Sequence, residues 1–107
     1  MAETSSSAPS GPIKPPVSLR GAIAAVRSEA RWRVMATLAQ GGGYMVQELA
    51  SAARISPNAM SRLLSTMQKA GVIQRSKRLY QLSPKLSQPA PGQVDFGYFI
   101  ARFDVKG

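Results

Sequence analysis

The chain has 107 residues, enough for one domain, and it contains neither cysteine nor histidine. These absences exclude disulfides, thiolate metal sites and a cysteine nucleophile, and they remove the usual zinc ligand and the usual general base near neutral pH. Fourteen Lys and Arg against five Asp and Glu give a net charge of +9, which predicts a polyanionic partner, either nucleic acid or an acidic membrane surface.

The distribution of charge and of apolar residues narrows this choice. No apolar run approaches the roughly 18 residues that a membrane-spanning helix needs, and the N-terminus lacks the charged-then-apolar order of a signal peptide. The segment 54–85 contains seven cations and no acid, whereas a merely solubilising charge would be spread more evenly. We therefore expect a cytoplasmic, nucleoid-associated protein that binds nucleic acid and has no membrane partner.

The N-terminal part of the chain predicts a tail followed by a short helix. Residues 1–17 are rich in Ser, Pro, Ala and Gly, with too little apolar content to offset the entropy of ordering, so they predict a disordered tail. Ser18 can cap a helix that ends near Arg27. The folded domain is accordingly expected to span 18–107.

A second helix is predicted over 28–40. Ser28 can cap it, and the acidic Glu29 in its first turn suits the helix dipole. Gly41 to Gly43 end the helix and open a connector, after which Tyr44 and Met45 predict a short extended segment. An apolar stripe recurs at helical spacing and is expected to be buried: Trp32, Met35, Leu38 and Ala39.

Two further helices follow, separated by a tight turn. The third is predicted over 46–53, and Arg54 then occupies the tight turn, a position where glycine is the more usual residue. Ser56 is a favourable N-cap with Pro57 at the first helical position, and Gly71 suits the left-handed residue that ends the fourth helix. The inward face of the fourth helix is expected to consist of Met60, Leu63, Leu64 and Met67.

The periodicity changes after this helix. Residues 72–75 and 79–82 predict two short strands, and residues 76–78 join them in a hairpin tip with two cations. Helix, turn, longer helix and basic hairpin is the order of a winged helix-turn-helix. The predicted fold class is therefore mainly α with a small β wing, an α+β arrangement.

The segment 28–82 resembles the ArsR-type winged-helix regulators, with the wider MarR-like group as a second relative. The resemblance rests on the stretch E-L-A … I-S-P-x-x-M-S-R-L-L … M-x-K-A-G-V-I within 46–82, and on the preceding helix with Arg31, Val34, Met35 and Leu38. It implies a winged helix-turn-helix that binds DNA and dimerises. The metal-sensing Cys and His ligands of that family are absent here.

The outward face of the fourth helix carries short polar groups and cations, which suit a helix that enters the major groove. Arg can bind guanine and Asn can bind adenine through two hydrogen bonds each, while Ser can bond phosphates or base edges. The cations at the wing are expected to contact phosphate or enter a minor groove. The candidate DNA-binding residues are Ser56, Asn58, Ser61, Arg62, Ser65 and Lys69 of the turn and helix, and Arg75, Lys77 and Arg78 of the wing.

The C-terminal segment predicts a strand after a Pro-rich connector over 83–93. Its two apolar faces would be Val94, Phe96, Tyr98 and Ile100 on one side, and Phe99, Ala101 and Phe103 on the other. A strand that is apolar on both faces needs burial on both, so it is expected to pair with the wing sheet or with its copy in a dimer. ArsR-type proteins commonly end in a dimerising helix, so this strand departs from the resemblance.

The sequence thus predicts a sequence-specific double-stranded DNA-binding transcriptional regulator, a homodimer that reads a pseudo-palindromic site. Two alternatives stay open at this stage, a nucleic-acid-binding protein without sequence specificity and a winged-helix protein-interaction module. An enzyme is disfavoured because the five acids are scattered and no nucleophile motif is present. No catalytic residue, metal or cofactor is predicted, and an effector ligand is not identified.

Overall fold

The computed structural model describes residues 15–103, and these form four helices and two β-hairpins. The helices are α1 (Leu19–Arg27), α2 (Glu29–Leu38), α3 (Val46–Ala53) and α4 (Pro57–Lys69). The strands are β1 (Ile73–Ser76), β2 (Leu79–Leu82), β3 (Gln93–Asp95) and β4 (Ile100–Arg102). No helix among the described residues is both long and apolar enough to cross a membrane.

Three of the helices begin at the serines that the sequence predicts as caps. Ser18, Ser28 and Ser56 each accept a hydrogen bond from the backbone N–H three residues further on, at 3.0, 3.1 and 3.2 Å. Each bond satisfies one of the donors that the first turn of a helix leaves without a partner. Helix α3 begins differently, because the Glu48 carboxylate accepts a hydrogen bond from the backbone N–H of Met45 at 2.8 Å.

The turn between α3 and α4 is set by a left-handed residue. Arg54 has φ 61° and ψ 43°, and its N–H donates to the carbonyl of Ser51 at 3.2 Å. The N–H of Ile55 donates to the carbonyl of Ala50 at 3.1 Å. These two bonds form a Schellman motif, in which the residue in the left-handed conformation is usually glycine.

The end of α4 has the same motif with the usual residue. Gly71 has φ +83°, its N–H donates to the carbonyl of Gln68 at 3.0 Å, and the N–H of Val72 reaches the carbonyl of Met67 at 3.3 Å. Val72 is fully buried, so this turn directs the chain from α4 into the core and on to β1.

The wing is an antiparallel hairpin with one further extended residue beside it. β1 pairs with β2 from Ile73 opposite Leu82 to Ser76 opposite Leu79, leaving Lys77 and Arg78 as a two-residue loop. Tyr44 pairs with Tyr80 through two backbone hydrogen bonds of 2.7 and 2.9 Å. The predicted extended segment after α2 is confirmed, and it ties the wing to the helices.

The core lies between the helices and the wing, and it corrects two sequence-based expectations. Met60, Leu64 and Met67 of α4 are buried as predicted, but Leu63 is only half-buried and packs at the margin of the core. In α2, Val34 joins Met35 and Leu38 in the interior, whereas Trp32 remains 38% exposed. Trp32 lies at the edge of the face formed by Val34, Met35 and Leu38, and its ring packs on Phe103, with centroids 4.4 Å apart.

The C-terminal segment does not form the predicted single strand. β3 and β4 pair with each other as an antiparallel hairpin, with Val94 opposite Ala101. The reversal occurs at Gly97, which has φ +93° and whose N–H donates to the Asp95 carboxylate at 2.8 Å.

The hairpin also changes which C-terminal side chains are buried. Val94 and Phe96 are buried, but Tyr98 and Ile100, which were expected on the same face, are 43% and 53% exposed. Within residues 15–103 these strands pair with each other and, at Asp95, with Ser87, so the first alternative, pairing with the wing sheet, is wrong, and pairing with a copy of the chain stays a prediction.

The packed part of the chain begins before α1. The predicted tail over 1–17 falls mostly on residues outside the described range, but Val17 is buried in the core. The hydroxyl of Tyr98 donates to the Val17 carbonyl at 3.0 Å, and the side chain of Val17 faces Gly71. Residues 15–17 therefore lie between the C-terminal hairpin and the end of α4.

Candidate nucleic-acid interface

The exposed face of α4 is a polar and basic stripe opposite the buried face. Asn58, Arg62, Ser65 and Lys69 follow one another at intervals of four, three and four residues, so they line one side of the helix, and Ser61 lies beside them. All five are exposed. Because Met60, Leu64 and Met67 hold the opposite side in the core, this stripe lies on the side of the helix that faces away from the core.

Ser56 differs from the other predicted residues of the turn and helix. It is exposed, but its hydroxyl oxygen already accepts the hydrogen bond from the N–H of Ala59 that caps α4. The hydroxyl proton can still be donated to a phosphate oxygen. The structure thus shows Ser56 as the cap of α4, and its contact with DNA stays a prediction.

The three predicted cations of the wing lie at or near the tip of the β1–β2 hairpin. Arg75, Lys77 and Arg78 are all exposed. Lys77 occupies the first loop position with φ 58°, a conformation that glycine or asparagine adopts more easily. The guanidinium of Arg75 lies 5.6 Å from the centre of the Tyr80 ring, and its Nε donates to the Lys77 carbonyl at 2.7 Å.

The beginning of α4 and the wing meet at a common groove of about 260 Å³. Residues 45–47 at the start of α3 and Pro57 at the start of α4 form one side, and Arg75, Arg78 and Tyr80 form the other. The structure thus brings two of the three wing cations to the N-terminal end of α4. Ser65 and Lys69 lie two to three turns further along the same helix.

One residue of this surface has a role that the sequence interpretation missed. Tyr80 is not among the residues that the sequence predicts to bind DNA, yet its ring supports the Arg75 guanidinium. The two residues are direct cross-strand partners in the β1–β2 register. The predicted tip over 76–78 would place Arg75 opposite Leu79, so this pairing follows from the observed two-residue loop and not from the sequence.

The described residues offer no alternative chemistry of the metal-binding kind, since no three His, Cys, Asp or Glu among them cluster as ligands would. The only ion pair between described residues joins Arg33 to Glu29 on α2, one helical turn apart. In the segment 54–85 the charge is entirely positive. The arrangement suits an extended anion with phosphates along one side of the molecule.

Comparison with known proteins supports the same fold. Residues 28–79 match the model of the MarR family, a span that runs from the cap of α2 to the start of β2 and covers just under half of the chain. Searches of curated proteins and of solved structures gave no significant match. The match is to the second of the two groups that the sequence resembles, and it does not single out the ArsR type.

The matched span contains α2, α3, α4 and β1 and ends at the first residue of β2. The predicted fold class, mainly α with a small β wing, is confirmed. The chain therefore contains a winged helix-turn-helix domain similar to that of the MarR family of DNA-binding transcription regulators.

Proposed function

We propose that this protein is a sequence-specific regulator of transcription that binds double-stranded DNA as a homodimer at a pseudo-palindromic site. The observation that carries the proposal is the two-sided character of α4. Its apolar side is buried, and its exposed side carries a stripe of Asn, Ser, Arg and Lys without an acid. A helix of this kind, followed by a basic hairpin, suits insertion into the major groove with the wing on the flanking backbone.

The position of each side chain along α4 suggests its role. The N-terminal part of a recognition helix contacts base edges, so Asn58 and Arg62 are the candidates for base recognition. Ser61 and Ser65 can bond either bases or phosphates. Lys69 lies at the last turn of α4, and it suits a phosphate contact.

A homodimer is proposed because one recognition helix reads too few base pairs to select a site among a genome of competitors. The exposed apolar side chains outside the helix-turn-helix and wing support a protein contact there. They are Leu19 and Ile23 of α1, Trp32 of α2, and Tyr98 and Ile100 of the C-terminal hairpin. In such a dimer, two recognition helices about one helical turn of DNA apart would read the two half-sites.

DNA binding is tested by titrating labelled duplexes at several salt concentrations, after selection of bound sites from random duplex DNA. The wild-type affinity should fall steeply as salt rises, because bound cations release condensed counterions. Arg62→Ala should lose about 1–3 kcal/mol on the selected site and relax the preference at one or two base pairs. Lys77→Ala should weaken all sequences alike and lower the salt slope by about 1.

The outcomes separate the competing functions. Binding without any selected sequence would favour the nucleic-acid protein without specificity. Absence of duplex binding at low salt would remove DNA from the proposal and leave the protein-interaction module. Sedimentation at micromolar concentration tests the dimer, for which we expect a species of twice 11.4 kDa.

A further inference from the structure

The side chain of Arg75 is held in place by two contacts within the wing. Its Nε donates to the Lys77 carbonyl at 2.7 Å, and its guanidinium lies over the Tyr80 ring at 5.6 Å from the centroid. Tyr80 is only 6% exposed, and its backbone is paired with Tyr44. An exposed cation is therefore fixed on a rigid base, whereas long surface side chains normally sample many rotamers.

The fixed guanidinium lines the groove between the wing and the start of α4. Arg78 lines the same groove, and no acid is among the described residues that form its walls. Arginine has five N–H donors, and the bond from Nε uses one of them. The four donors on the two terminal nitrogens of Arg75 are left for an oxygen-rich anion, which a guanidinium binds with two parallel hydrogen bonds.

We propose that this groove binds one phosphodiester of the DNA backbone, with Arg75 as its direct ligand and Tyr80 as the residue that positions Arg75. The inference rests on the proposed DNA-binding function and adds a defined phosphate site to it. The site fixes the register between the wing and the recognition helix, because Pro57 at the start of α4 and Arg75 of β1 border the same groove. It contributes affinity on every sequence and does not select bases.

The test measures duplex binding by fluorescence anisotropy over a series of salt concentrations. Arg75→Gln removes the charge, and it should weaken binding to all duplexes and lower the salt slope by about 1. Arg75→Lys keeps the charge but loses the planar fork and the Nε bond. Its salt slope should equal that of the wild type while its affinity falls. Arg20→Gln, on the exposed start of α1, is the matched charge control and should bind like the wild type.

Tyr80 is tested by a conservative pair. Tyr80→Phe keeps the ring and should retain wild-type affinity. Tyr80→Leu removes the ring, and it should weaken binding by about two- to five-fold, as expected for a lost cation–π contact at an exposed site, with the salt slope unchanged. Thermal unfolding of Tyr80→Leu shows whether this substitution also destabilises the core. Arg75→Lys disturbs the held guanidinium from an exposed position, so its loss of affinity tests the same contact with the core unchanged.

Each result decides between the two proposals. If the wild type binds DNA but Arg75→Gln keeps the wild-type salt slope, the phosphate site is wrong and the proposed function stands. If Arg75→Lys or Tyr80→Leu binds as tightly as the wild type, the positioning role of Tyr80 is wrong. If the wild type binds no duplex at low salt, the proposed function fails and the phosphate site fails with it.

Discussion

Replacing Arg54 with glycine tests whether the turn of the helix-turn-helix is strained. Arg54 is the left-handed residue of the Schellman motif at the end of α3, with φ 61° and ψ 43°. The left-handed conformation costs an L-residue with a side chain roughly 1–2 kcal/mol. Glycine adopts it freely, although glycine gains more entropy on unfolding, by about 0.5–1 kcal/mol relative to alanine. We expect Arg54→Gly to stabilise the domain by up to about 1 kcal/mol.

The control for this substitution is Arg54→Ala. Both variants remove the same exposed charge and the same long side chain, so the difference between them comes chiefly from the backbone. Arg54→Gly should be the more stable of the two, and a difference of about 1 kcal/mol corresponds to a melting temperature higher by about 4–8 °C in a domain of this size. Thermal and urea unfolding monitored by circular dichroism measure both variants.

The reverse substitution is available at the end of α4. Gly71 fills the equivalent position with φ +83°, and a Cβ there would meet only the side chain of Val17 at 3.5 Å, an ordinary contact. Gly71→Ala should therefore destabilise by about 1 kcal/mol through its backbone and not through a clash. If Arg54→Gly and Arg54→Ala unfold at the same temperature and urea concentration, while Gly71→Ala is destabilised, the turn at Arg54 is not strained and the reasoning is refuted.

Four further substitutions test the packing that positions the interface. Leu64→Ala should lower the free energy of unfolding by roughly 2–5 kcal/mol, because Leu64 is fully buried. Leu63→Ala should lower it clearly less, because Leu63 is only half-buried. Equal losses in urea unfolding would mean that the buried face of α4 is misassigned. Ser56→Ala should cost about 1 kcal/mol through the lost cap, and an unchanged midpoint would contradict the cap. Gly97→Ala should lower the free energy of unfolding by roughly 1–3 kcal/mol, because φ is +93° and the new Cβ would lie 3.0 Å from Pro16. A variant as stable as the wild type would show that the hairpin turn accommodates a side chain.

The parts of the fold that could be predicted are those encoded within a few neighbouring residues. A serine before an apolar-periodic run suffices to predict a cap, and all three predicted serine caps are present. The wing follows from a change of period after Gly71 and from two cations between short apolar strands. The exposed face of α4 is the complement of its apolar stripe, so its residues followed from helical spacing alone.

The C-terminal hairpin could not be predicted in this way because its fold depends on distant partners. The alternation of apolar residues over 94–103 fits one strand as well as two. The choice is decided by Gly97, whose positive φ permits a reversal, by the packing of Phe103 on Trp32, and by the hydrogen bond from Tyr98 to the Val17 carbonyl. Leu86 of the Pro-rich connector is likewise buried in the core, which no local sequence pattern predicts.

The two halves of the proposed interface differ in how binding and stability are linked. On α4 the proposed contact residues and the core residues lie on opposite sides, so a change at Arg62 leaves Leu64 and its packing in place. In the wing the same residue serves both purposes, because Tyr80 is buried against the core and supports Arg75. The proposed base recognition on α4 could therefore vary without loss of the fold, whereas the proposed phosphate contact of the wing is constrained by the core beneath it.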